Sequence, residues 1–145
     1  MEPRIKEKIE RIVPMGGAFG LLRPEYNIRR DYIAASIVFG SGVPITAIGL
    51  DVTLRCQLEE ADLERLRAAG NQASRFLVRL IELWQNRQPD QYPVLHDPLA
   101  MAVVFRAGLV ESQLGRIEVE TAGTVGNGLT TGSPAPRKMS DDWDC

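Results

Sequence analysis

Residues 93–108, Pro-Val-Leu-His-Asp-Pro-Leu-Ala-Met-Ala-Val-Val-Phe-Arg-Ala-Gly, constrain the fold more than any other stretch. No polar side chain interrupts the run from Pro98 to Phe105, and a helix that is apolar all round is a buried one. Asp97 is placed to cap it, Pro98 to occupy its first position, and Gly108 to lie just past its end. His96, the chain's one histidine, stands immediately before the cap. An imidazole and a carboxylate thus arrive side by side at the positive end of a helix. Alone, an Asp-Pro step most often only caps and its neighbour only fills space. The other segments must decide.

A helix buried in this way needs elements around it. Asp31 caps a predicted helix from Tyr32 to about Phe39, ended by Gly40-Ser41-Gly42. A charged helix spans about Glu59 to Ala69 and breaks at Gly70. A longer one runs from Gln72 to about Asn86, with Phe76, Leu77, Leu80, Ile81 and Trp84 on one face. Pro3 to about Arg11 places Ile5, Ile9 and Ile12 at helical spacing among charged residues. Leu21 to Asn27 is expected to be loop. The strand candidates are Ile12 to Met15, where Pro14 cannot donate to a ladder, Val43 to Leu50, and the alternating Arg116 to Glu120. After Gly123 the chain is rich in Gly, Thr, Ser and Pro and is expected to be largely unstructured, with a hairpin signal at Gly126-Asn127-Gly128.

Strands followed by helices imply an α/β fold with a mostly parallel sheet and flanking helices. In such folds the binding crevice lies beyond the carboxyl ends of the strands. The glycine cluster after Met15 and Asp51-Val52-Thr53 both sit at such ends. The sheet is nevertheless too small for its helices, because parallel sheets are covered on both faces and carry more strands than these. The expected sheet is incomplete.

At 145 residues the chain is one domain. A net charge of −2 gives no field for nucleic acid or an anionic membrane. Cys56 and Cys145 match no metal-type spacing. With no signal peptide near Met1 and no membrane-length apolar run, a cytoplasmic setting is expected. Gly16 to Gly20 lacks the G-x-G-x-x-G spacing of a dinucleotide site.

Three ordered segments resolve the ambiguity. Met15-Gly16-Gly17-Ala18-Phe19 precedes Pro24-Glu25-Tyr26-Asn27-Ile28; Ser41-Gly42-Val43-Pro44-Ile45-Thr46 leads to Gly49-Leu50-Asp51-Val52-Thr53; His96-Asp97-Pro98-Leu99-Ala100 follows. In this order they resemble the inosine/uridine-preferring nucleoside hydrolases, over residues 2 to about 122. The resemblance implies hydrolysis of the N-glycosidic bond of ribonucleosides to ribose and free base, with a calcium ion at the site. It implies that Asp97 is a metal ligand, that His96 stands beside the departing base as an acid, that Glu25 and Asn27 grip the ribose, and that Met15 lines the sugar pocket. The residue chemistry agrees. A carboxylate and an amide two apart share one side of an extended segment and suit vicinal hydroxyls. Calcium prefers oxygen ligands, and an oxocarbenium-like transition state wants nearby negative charge and a proton for the leaving group. Asp51 is expected to do no more than cap or turn.

The family's aspartate-rich Asp-x-Asp-Pro-Gly-x-Asp-Asp loop is absent from this sequence, and Leu21-Leu22-Arg23 stands where the family carries a Gly-Asn loop. Residues 1–122 are therefore expected to be the C-terminal part of a hydrolase domain, and 123–145 a divergent, flexible tail. Three readings follow from the gap. The chain is a remnant that is active with a complementing N-terminal hydrolase chain, a non-catalytic module that binds ribose or joins a homologue or itself, or a gene fragment without independent function. The isolated chain is expected to be weak or inactive.

Overall fold

The computed structural model describes residues 3–89 and 91–134. Among the described residues six α-helices follow one another: α1 (Tyr26–Arg30), α2 (Tyr32–Phe39), α3 (Leu50–Thr53), α4 (Glu60–Ala69), α5 (Gln72–Gln85) and α6 (His96–Phe105). Two strands, β1 (Gly115–Val119) and β2 (Thr130–Pro134), form an antiparallel pair with Ile117 opposite Gly132.

The expected mostly parallel sheet is reduced to two isolated parallel bridges among the described residues, Ile12 to Ile45 and Met15 to Ile48. The reason lies in Pro14. Ile12 N–H donates to the Pro44 carbonyl, Thr46 N–H to Ile12, Ile48 N–H to Pro14, and Gly16 N–H to Ile48. The next bond in that ladder would need an N–H at Pro14, which proline lacks. Two short runs therefore lie side by side in parallel register with a gap in the middle. Val43 to Leu50 is not one long strand either, because Leu50 already begins α3.

Ile48 is the centre of the core. With Ala100 and Val103 of α6 it forms the buried cluster, against which Val13, Met15, Val52, Leu99 and Val110 pack. Only that side of α6 is covered. Met101, Val104 and Phe105 are exposed, Phe105 at 83%. The expectation of a fully buried helix is met on one face alone. The helix α2 departs further: it is apolar almost throughout, yet buries no residue and leaves Ile33, Ile37 and Val38 exposed. On α5 the buried residues are Ser74 and Val78, while Phe76, Leu77 and Leu80 of the predicted apolar face stay exposed.

The amino-terminal segment forms a 3-10 helix over Pro3–Lys8 rather than an amphipathic α-helix to Arg11, and Ile5 is exposed. Asp31 caps α2 as expected, accepting from Ala34 N–H at 2.8 Å. Gly70 ends α4 in the left-handed conformation at φ 59°, where glycine has no Cβ penalty.

β1 and β2 are joined through residues 120–129, where Leu129 N–H donates to Gly126 O across Asn127-Gly128, and the pairing runs from Val119–Thr130 to Gly115–Pro134. Glu120 organises its turn. The carboxylate accepts from Ala122 N–H at 2.7 Å and from Gly123 N–H at 3.0 Å, and these bonds hold its carboxyl below the ordinary value of 4.5. A depressed folded-state value means the contribution is complete above 4.5 and is lost as pH falls through the lowered one. Amide proton shifts of Ala122 and Gly123 should therefore titrate together with a midpoint below 4.5. A midpoint at or above it would show that the turn does not depend on the carboxylate.

Candidate functional site

The two parallel runs end level with each other, and the site is built where they end. After Met15 the chain turns through Gly16 and Gly17; after Ile48 it turns at Gly49 into α3. Leu50 N–H donates to the Gly17 carbonyl at 2.8 Å, joining the two turns. Space there is tight. A Cβ on Gly49 would stand 3.0 Å from Gly17 O and 2.8 Å from the Phe19 ring. Ala18 N–H donates to Thr130 Oγ1 at 2.8 Å, so β2 pins the glycine turn from the far end of the chain. Replacing Thr130 by valine keeps the shape and strands a buried N–H, at a cost of about 1–3 kcal/mol. Urea unfolding reads this directly, and an unchanged midpoint would show that the contact carries nothing.

On one side of this platform sits α1. Residues 21–27 are not all loop: Glu25 is the N-cap of α1, is 3% exposed, and accepts from Asn27 N–H at 2.8 Å and Ile28 N–H at 3.0 Å. The extended Glu-x-Asn geometry expected from sequence is thus corrected. Asn27 lies in the first turn, because the buried carboxylate satisfies helix N–H groups that would otherwise lack partners. Asn27 still reaches Met15: its Nδ2 donates to Met15 O at 3.2 Å and approaches Sδ at 3.4 Å. The structure therefore brings Met15, Glu25 and Asn27 together. Each Glu25 oxygen retains acceptor capacity beyond its one backbone bond.

α6, which carries His96, meets α3. Residues 56–58 pair antiparallel with 93–95: Leu58 N–H donates to Pro93 O and Leu95 N–H to Cys56 O, at 3.1 and 2.7 Å. This pairing keeps the backbone out of the helix until His96, so Leu95 is the N-cap and makes no side-chain cap. Asp97 is accordingly not the cap the Asp-Pro step implies. It lies in the first turn, exposed, its side chain making no hydrogen bond or ion pair among the described residues. Tyr92 hydroxyl donates to Glu60 of α4 at 2.9 Å, fastening the approach from a third direction.

The same pairing brings His96 over α3. Its Nδ1 lies 2.8 Å from Thr53 Oγ1, and Thr53 is completely buried. The sequence places Asp51-Val52-Thr53 at a strand end but marks no role for Thr53. No local spacing could have found it, because the contact joins residues 43 apart.

A calcium site is not complete in these residues. Calcium takes about six to eight oxygen ligands, and no group of three acidic, histidine or cysteine side chains converges among the described residues. Asp97 alone does not fit the ion. No helix among the described residues is long and apolar enough to cross a membrane.

Comparison with known proteins adds the context. The family model for the inosine-uridine preferring nucleoside hydrolases matches residues 1–143. A pyrimidine-specific ribonucleoside hydrolase, RihA, from Salmonella arizonae is 39% identical over 88% of this chain and 44% of its own length. RihA from Escherichia coli K12 has the same identity and coverage. Among solved structures, a purine-preferring ribonucleoside hydrolase from Gardnerella vaginalis superposes with a TM-score of 0.78 at 36% identity, covering 91% of this chain and 45% of that one. A plant nucleoside hydrolase gives 0.79 at 25% identity, with 98% and 48% covered. The chain spans less than half the length of each.

Proposed function

The chain belongs to the inosine-uridine preferring nucleoside hydrolase family, and on that premise we propose that it supplies the C-terminal, sugar- and base-facing part of a site that hydrolyses ribonucleosides. The observation that supports this reading is the pair of turns where the parallel runs end: Met15 there holds Asn27, whose backbone N–H is held by Glu25, and α3, which starts there, holds His96 through Thr53. In this reading Glu25 and the Asn27 amide oxygen accept from ribose hydroxyls, and Met15 lines the sugar. His96 gives the departing base a hydrogen bond or, when protonated, a proton. Negative charge from Glu25 favours the oxocarbenium-like ring as the C–N bond lengthens. Water supplies the hydroxyl that completes the sugar.

Calcium and the partner belong to the same proposal. Asp97 has a carboxylate that nothing else among the described residues engages, and it would contribute one ligand to an ion held mainly by acidic groups beyond these residues. Those groups would arrive with the rest of a hydrolase fold. Support comes from the open edges of the parallel runs: Val13 and Met15 N–H on one side, Ile45 and Ala47 N–H on the other, have no backbone partner among the described residues. Unpaired edges of this kind accept a further strand.

The deciding experiment measures base released from uridine and inosine in calcium. It uses the purified chain alone and the chain mixed with the part of RihA that it does not span. Release only in the mixture is the expected result. No release from folded material in either arm would refute the hydrolase reading, and brisk release by the chain alone would refute the division of the site.

A further inference from the structure

The contact between Thr53 and His96 carries information about where the imidazole keeps its proton. Oγ1 of Thr53 and Nδ1 of His96 are 2.8 Å apart, and Thr53 has no exposed surface. A threonine hydroxyl in a helix commonly turns back on a carbonyl of the preceding turn. Thr53 does not: His96 is the one hydrogen-bond partner of its side chain among the described residues.

Two proton arrangements fit the distance. With Nδ1–H donating to Oγ1, the threonine hydrogen is left buried without an acceptor, which protein interiors rarely tolerate. With Thr53 O–H donating to Nδ1, both groups are satisfied and the neutral ring carries its proton on Nε2. We propose that Thr53 is a positioning residue for His96: its hydroxyl donates to Nδ1, holds the ring in place and fixes the Nε2–H tautomer. Nε2 has no partner among the described residues, so the ring presents a hydrogen-bond donor outward. The backbone enforces the pairing. Cys56 N–H bonds to the Thr53 carbonyl, and the Cys56 carbonyl takes Leu95 N–H, so backbone bonds through Cys56 tie α3 to the start of α6.

The functional meaning rests on the hydrolase reading. A heterocycle leaving a sugar gathers negative charge on its nitrogen and carbonyl oxygen acceptors, and a fixed Nε2–H is a donor aimed at such atoms. The proton assignment does not depend on that reading, so the two can fail separately.

The test uses the tag-free 145-residue chain labelled with 15N-histidine, at a pH where the ring is neutral. One histidine gives one pair of ring signals. The expected spectrum has protonated-type Nε2 and unprotonated-type Nδ1, in a proportion exceeding that of free histidine. Thr53→Ser should retain it, and Thr53→Val should move the tautomer ratio by about fivefold toward the free ring, the worth of one ordinary hydrogen bond. A proton on Nδ1, a ratio equal to that of free histidine, or a Thr53→Val spectrum equal to the parent's would overturn the proposal. Should Thr53→Val not fold, the parent spectrum and Thr53→Ser still decide it. If the tautomer is as expected while the nucleoside assay shows no base release, the hydrolase reading has failed and the positioning has not.

Discussion

In the mixture of this chain with the part of RihA that it does not span, and on the hydrolase reading, exchanging His96 for alanine is expected to slow base release by about 10²–10⁴-fold, the usual contribution of a placed acid or base. The loss should fall on kcat for nucleosides whose base leaves poorly without a proton. A ribosyl substrate with a leaving group that departs readily as an anion should lose far less, because it asks nothing of the imidazole. That contrast separates a role in leaving-group departure from damage to the site. The substitution also strands the buried Thr53 hydroxyl, so stability should fall by about 1–2 kcal/mol, readable by urea unfolding. Equal losses for both substrates would remove His96 from the chemistry and leave it a packing residue.

Gly128→Ala should cost about 3 kcal/mol of stability, combining the left-handed penalty with overpacking. Gly128 has φ +85°, and a Cβ there would stand 3.0 Å from Arg29 Cα and 3.3 Å from Arg29 N. Those are backbone atoms of α1, so no side chain can swing aside. The hairpin would have to lift from the helix whose N-cap is Glu25. Gly20 provides the control: it has φ +74° with open space around it, so Gly20→Ala should show the conformational penalty alone, about 1–2 kcal/mol. Equal unfolding midpoints for the two variants would mean that the hairpin does not bear on α1.

Several of these elements could be read from the sequence because their signals are local. Asp31, Gly70 and the alternation from Arg116 to Glu120 each fix structure within a few residues, and helix or strand forms where they say. Pro14 was equally legible, and its missing N–H is what divides the parallel run. The misreadings have a common cause in distance. Asp97 looked like a cap because Asp-Pro is a cap signal, but pairing of Leu95 with Cys56 moved the helix start upstream. Glu25 reads as loop because glutamate is not among the favoured caps, while in the fold it comes close to Gly16, where an added Cβ would lie 3.7 Å from its Oε2. The motif residues themselves were found by the order of three segments, while Thr53 became visible only once the chain was folded.

The exposed apolar face of α2 has a thermal consequence. Ile33, Ile37 and Val38 are 51%, 61% and 39% accessible, and any partner that covered them would do so through the hydrophobic effect, whose driving force weakens on cooling. An assembly closed over this helix, were one to form, would come apart in the cold and tighten in sulfate, the opposite of what a salt-bridged junction would do. Sedimentation profiles recorded near freezing and at room temperature would tell the two kinds of junction apart.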